Sequence, residues 1–120
     1  MTTPHLFVYG TLKPNASQEL GRAERVRLAA EATPVGTATT RGKLIDLGAY
    51  PGLIEGCEIV QGFVYALRDP VHTLAWLDAY EGITAAPTDE YRREQRLVTM
   101  SSGTTMSCWV YEYLPSTLMR

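Results

Sequence analysis

Apolar and polar positions along the chain fall into short blocks whose period changes. His5-Leu6-Phe7-Val8-Tyr9 is almost wholly apolar or aromatic and is followed by the breakers Gly10 and Pro14, which predicts a short buried strand. From Ser17 to Ala32 the residues are good helix formers, with Asn15 or Ser17 placed to cap the first turn. Leu20, Ala23 or Glu24, Arg27 and Leu28 give this helix only a narrow apolar stripe, so it belongs on the surface. Thr33-Pro34 ends it.

Val35 to Leu47 is rich in β-branched residues and broken by glycine, the pattern of a bent strand or of two short ones. Gly48 to Gly52 reads as a turn, with Pro51 presetting one angle and Gly52 free to take a positive one. Glu58 to Leu67 resumes as a strand. Asp69-Pro70 starts a second helix, with Val71, Leu74, Ala75 and Leu77 as its inward side. Gly82 suits the left-handed position just past a helix end, which makes Glu81 the last helical residue or its cap. Tyr91 to Met100 and Thr104 to Leu114 read as two strands of a hairpin turning at Ser101-Ser102-Gly103.

Five to seven strands with two helices, in an order lacking regular β-helix-β alternation, predict an α+β fold with a largely antiparallel sheet. The repeated strand glycines fit closure of that sheet into a small barrel. A chain of 120 residues is expected to form a single domain over its whole length. Lys+Arg of 11 against Asp+Glu of 13, with no basic run, argues against a nucleic-acid partner. No segment approaches the roughly 20 apolar residues of a membrane helix, and Met1 to Gly10 lacks the marks of a signal peptide, so a cytoplasmic protein away from membranes is expected. Cys57 and Cys108 are far apart, exclude a CxxC pattern, and are expected to be buried apolar thiols.

His5 and His72 have no neighbouring ligand at metal spacing, so no metal site is expected. No Gly-x-Ser-x-Gly elbow supports a serine nucleophile. Among the carboxylates Glu55, Glu58, Asp78, Glu81 and Glu90, Glu81 stands apart. At a helix C-terminus it faces the negative end of the backbone dipoles, and burial among Trp76, Tyr80 and strand aromatics would raise its pKa further. It reads either as a general acid/base near neutral pH or as part of a plain helix terminus. Tyr9-Gly10-Thr11-Leu12 has the same two readings: a glycine after a strand exposes N–H groups to a carboxylate or oxyanion, or it simply ends the strand. Trp109, Tyr111 and Tyr113 share one face of the last strand, either packing in the core or lending a tyrosine to a site.

Tyr9-Gly10-Thr11-Leu12, Tyr50-Pro51-Gly52, Leu77-Asp78-Ala79-Tyr80-Glu81-Gly82, Tyr91-Arg92-Arg93 and Trp109-Val110-Tyr111-Glu112-Tyr113, in this order, resemble the γ-glutamylcyclotransferase superfamily. The resemblance is to its short, γ-glutamylamine cyclotransferase-like (AIG2-like) branch and spans almost the whole chain. It implies a small mixed β-barrel flanked by helices, in which the first loop and the helix-end glutamate meet at one cavity. It also implies an enzyme that takes a small γ-glutamyl amide, lets the α-amine attack the γ-carbonyl, and releases 5-oxoproline and a free amine without metal or cofactor. Glu81 then matches the acid/base, and Tyr9, Gly10, Thr11 and Leu12 match the substrate-binding loop. Ile83 to Glu90 is longer than the corresponding connection of the family and could act as a lid. A second reading is a binding or interaction module that keeps the cavity without catalysis.

Overall fold

A computed structural model describes residues 4–10, 13, 21–46, 51–84 and 91–113. The apolar run near the start forms strand β1 (His5–Val8). It is followed by helix α1 (Arg22–Glu31), strands β2 (Ala32–Asp46) and β3 (Pro51–Leu67), helix α2 (Pro70–Tyr80), and strands β4 (Tyr91–Met100) and β5 (Thr105–Tyr113). The strands close into a barrel in the order β1-β3-β2-β4-β5. All pairings are antiparallel except that of β1 with β5, where Leu6 lies opposite Trp109. The expected α+β barrel flanked by helices is therefore what forms.

Alternation explains why β1 carries no polar face. Phe7 points into the lumen with Val64, Val98, Cys108 and Val110, a cluster built from strand residues alone. Leu6 and Val8 point outward and are covered, together with Tyr65, Leu67 and Tyr111, by Leu28 of α1 and by Leu74 and Leu77 of α2. A strand buried on both faces has to be apolar throughout. Gly62 makes room in the lumen, because a Cβ there would lie 2.4 Å from the Phe7 ring and 2.4 Å from the Val8 carbonyl oxygen.

The strand β2 is continuous but irregular, with register shifts between Pro34 and Gly36 and between Gly42 and Lys43. This is the bent strand expected from its glycines. Pro51 and Gly52 do not form a turn: they open β3, paired with Asp46 and Ile45, as a proline at the first position of a strand can. The preceding residues of that expected turn, like the caps expected at Asn15 and Ser17, lie outside the described residues. The described part of helix α1 begins at Arg22 with Gly21, left-handed at φ 81, as its N-cap, and the expected first turn from Ser17 lies outside the described residues. As expected of a surface helix, it buries only Leu28.

Both ends of α2 follow local chemistry. The Asp69 side chain accepts from the His72 amide, and Pro70 occupies the first turn. Its buried side differs from the expected one. Val71 and Ala75 are exposed, and the inward residues are Thr73, Leu74 and Leu77. Thr73 is inward because its hydroxyl donates to Glu31 of α1 at 2.7 Å. Cys108 is buried as expected but Cys57 is exposed, in a part of β3 where successive residues all face solvent.

Glu31 clasps the two helices together. It accepts from Thr73, from Trp76 Nε1 at 2.9 Å and from Arg27 at 3.0 Å, and Arg27 stacks over the Trp76 ring at 4.4 Å. The Thr73 hydrogen bond, then that of Trp76, pulls the Glu31 carboxyl down to about 2. Since the folded pKa lies below the unfolded one, this contribution to stability is complete above pH of about 4.5 and is lost as pH falls toward about 2. Urea midpoints measured across this range should drop more steeply for wild type than for Glu31→Gln. Parallel curves for the two proteins would contradict the clasp.

Candidate active site

The end of β1 is held by one phenol. The Tyr9 ring packs against the lumen cluster, its hydroxyl donates to the Tyr111 carbonyl at 2.5 Å, and it accepts from the Leu53 amide at 3.3 Å. Burial drives the Tyr9 pKa well above the ordinary tyrosine value, so the group stays neutral and keeps its proton for the Tyr111 carbonyl. Both hydrogen-bonding directions of Tyr9 are thus spent on β5 and β3. What it gives the site is the position of the next residue, Gly10.

Gly10 has no left-handed φ, and among the described residues a Cβ built there would meet only the Pro51 ring, at 3.4 Å. Nothing among the described residues requires glycine at this position. Its carbonyl accepts from the Lys13 amide at 3.1 Å, which curls the chain back after the strand. Thr11 and Leu12 lie outside the described residues.

Glu81 stands at the end of α2. It caps the C-terminus of α2 with φ −80 and ψ −3. Beyond it Gly82 stands at φ 73, its amide donating to Ala79 at 3.1 Å while the Ile83 amide donates to Asp78 at 2.9 Å. These two bonds form a Schellman motif, and Ile83 completes it by packing on the cluster that contains Leu77. Burial raises the Glu81 carboxyl to about 7. Its charge is felt at Tyr9 and at Tyr111, raising both phenols further, so the helix-end carboxylate and the end of β1 share one electrostatic environment.

Further charged and aromatic groups tie α2 to the last two strands. Asp78, one turn before Glu81, accepts from the Tyr111 hydroxyl at 2.6 Å and from Arg93 at 2.8 and 3.1 Å. Arg93 in turn lies over the Trp109 ring at 4.3 Å. Tyr111 is therefore a core residue, as one of its two expected readings had it, yet one whose polar ends tie Tyr9 to α2. Glu112 is buried on the lumen side of β5 and is paired with Arg96. Beside the Gly10 loop, a groove of about 600 Å³ runs over β3, β2 and β4, with Lys13, Phe63 and Gln61 in its walls. Neither the Asp78–Arg93–Tyr111 cluster nor the Glu31 clasp could be seen from spacing, because each joins segments distant in sequence.

Residues 6–119 match the family model described as gamma-glutamyl cyclotransferase, AIG2-like. The chain belongs to this family. Membership classes it among enzymes of γ-glutamylcyclotransferase type. A Vibrio cholerae protein that carries the provisional name gamma-glutamylcyclotransferase is 38% identical over 108 residues, covering 90% of this chain and 80% of that one. The crystal structure of an AIG2-like protein from Mus musculus superposes with a TM-score of 0.73 at 25% identity, covering 98% of this chain and 84% of that one. The solution structure of Escherichia coli ytfP gives a TM-score of 0.60 at 31% identity, covering 92% and 82%.

Within this γ-glutamylcyclotransferase fold, Tyr9→Phe would leave the Leu53 amide and the Tyr111 carbonyl without their partner. A loss of about 1–3 kcal/mol is expected in urea denaturation. A variant as stable as wild type would mean that the Tyr9 hydroxyl does not fix the loop.

Proposed function

We propose that the protein converts a γ-glutamyl amide into 5-oxoproline and a free amine, with Glu81 as the base that becomes the acid and the Gly10 loop as the seat of the γ-glutamyl group. The observation that carries this reading is a partly buried carboxyl raised to about 7, within electrostatic reach of the strand end that carries Gly10. A carboxyl of this pKa divides between its two forms near neutral pH, as a group that must first take and then give a proton requires.

In the ionised form Glu81 removes a proton from the α-ammonium group. The freed nitrogen attacks the γ-carbonyl carbon, forming the lactam C–N bond and placing negative charge on the carbonyl oxygen. As the tetrahedral centre collapses, the amide C–N bond breaks, Glu81 returns its proton to the departing nitrogen, and the second proton of the attacking nitrogen passes to the released amine, which leaves as its ammonium ion. Ring closure is intramolecular, so holding the substrate folded supplies much of the rate. The N–H groups of Gly10, Thr11 and Leu12 are proposed to face the substrate as donors to the oxyanion or to a carboxylate. Tyr9 acts by holding that loop, its hydroxyl being already engaged. The groove beside Lys13 has room for the amine half, since small-ligand sites commonly span about 300–1,000 Å³.

Glycine at a position where the described residues leave room for a Cβ supports close approach by a ligand. Gly10→Ala is therefore expected to keep its stability to within about 1 kcal/mol, while kcat/KM for γ-glutamyl amides falls at least tenfold. Loss of stability in step with activity would contradict this assignment.

Glu81→Gln is expected to reduce 5-oxoproline release by roughly 100-fold or more. In wild type the acid limb of kcat/KM should have its midpoint near 7, where Glu81 becomes ionised in the free protein. The same group sets a stability signature of opposite sign to Glu31. Its folded pKa is raised, so its stabilising contribution is present below pH of about 4.5 and is lost as pH rises through about 7. Glu81→Gln should hence be the more stable protein at pH 8. Equal turnover by the two proteins would remove Glu81 from the chemistry, and tight binding of γ-glutamyl compounds without turnover by wild type would favour a binding module.

A further inference from the structure

We infer that Asp78, Arg93 and Tyr111 form a positioning network that holds the end of α2 against β5 and so fixes where the Glu81 carboxylate sits. The inference rests on the reading of Glu81 as the acid/base. Four observations carry it. Asp78 precedes Glu81 by one helical turn and also contributes the carbonyl that closes the Schellman motif with Ile83. Both carboxylate oxygens of Asp78 are engaged by the Arg93 fork, at 2.8 and 3.1 Å, a geometry that fixes orientation as well as distance. The Tyr111 hydroxyl donates to the same carboxylate at 2.6 Å, while the Tyr111 backbone carbonyl accepts from Tyr9 at 2.5 Å. Arg93 is itself seated on Trp109 of β5, at 4.3 Å from the ring centre.

One residue of β5 thus touches both halves of the site. Through its carbonyl Tyr111 sets the end of β1, and through its hydroxyl it sets the end of α2. Leu74, Leu77 and Ile83 also hold this helix end, but apolar packing is non-directional. Hydrogen bonds in a fixed fork remove the remaining freedom. The charge of Glu81 is felt at Tyr9 of β1 and at Tyr111 of β5, and Arg93 of β4 is set against Asp78 on the same helix as Glu81. When the tie is cut, α2 gains freedom, water reaches Glu81, and the desolvation that raises its carboxyl is relieved.

The test compares wild type, Tyr111→Phe and Arg93→Lys, with Arg93→Met as the variant that lacks the charge. The Glu81 carboxyl is titrated by carbon-13 NMR, and turnover of a γ-glutamyl amide is followed across pH. Tyr111→Phe is expected to lower kcat tenfold or more with KM changed less than threefold, since small misplacements are costly in rate. The Glu81 midpoint should move from about 7 toward the ordinary value of 4.5, with Arg93→Met behaving likewise and Arg93→Lys recovering part of both effects. Should Tyr111→Phe fail to fold, the two Arg93 variants carry the comparison. A folded variant that loses kcat with the Glu81 midpoint unmoved overturns the inference, as does one in which neither changes. Because the NMR titration does not depend on turnover, a wild type that releases no 5-oxoproline would count against the proposed reaction, and the titration would still decide the network.

Discussion

A strand of only four residues closes the barrel, and the Tyr9 hydroxyl secures its end. On the side facing β5, β1 makes a short parallel pairing around Leu6 and Trp109, so the bond from Tyr9 to the Tyr111 carbonyl extends a contact that the backbone ladder leaves brief. The accompanying bond from the Leu53 amide ties the same phenol to β3. Everything proposed for the γ-glutamyl group depends on this constraint, because Gly10 is the next residue. A loop starting from a fixed strand end can present its amides in one direction, which is what stabilising a developing charge requires.

The opposing element is built on a different principle. Glu81 stands where a helix ends, held by the turn chemistry of Gly82 and by the packing of Ile83. Burial there disfavours its charge and raises its pKa. The same burial makes the ionised protein less stable than one with a neutral side chain would be, the usual trade between stability and a poised reactive group. Three other carboxylates, buried Glu112 and half-buried Glu31 and Asp78, are treated in the opposite way. Glu31 and Glu112 are each met by donors or cations, and Asp78 by a full guanidinium fork. The fold thus distinguishes carboxylates that hold structure from Glu81, whose carboxyl is raised by burial.

The parts of this arrangement that were legible in the sequence are those governed by local chemistry. Asp69-Pro70 and Gly82 marked both ends of α2 because caps act through neighbouring residues. Phe7 and its neighbours marked β1 because a strand buried on both faces has no polar side. Errors arose where distant contacts overrode a local signal. Pro51-Gly52 has turn chemistry but lies in a ladder with β2, and Val71 is exposed because Thr73 turns inward to Glu31. Tyr111 and Arg93 were visible as residues of recurring segments, but their meeting at Asp78 depends on barrel closure, which no spacing within one segment encodes.

The central claim is that the substrate's own amine, rather than water, attacks the γ-carbonyl. Turnover of a γ-glutamyl amide in water enriched in oxygen-18, followed by mass spectrometry, tests it directly. Attack by the amine yields 5-oxoproline in equal amount to the released amine, with no solvent oxygen incorporated. Glutamate carrying oxygen-18 as the first product would contradict it.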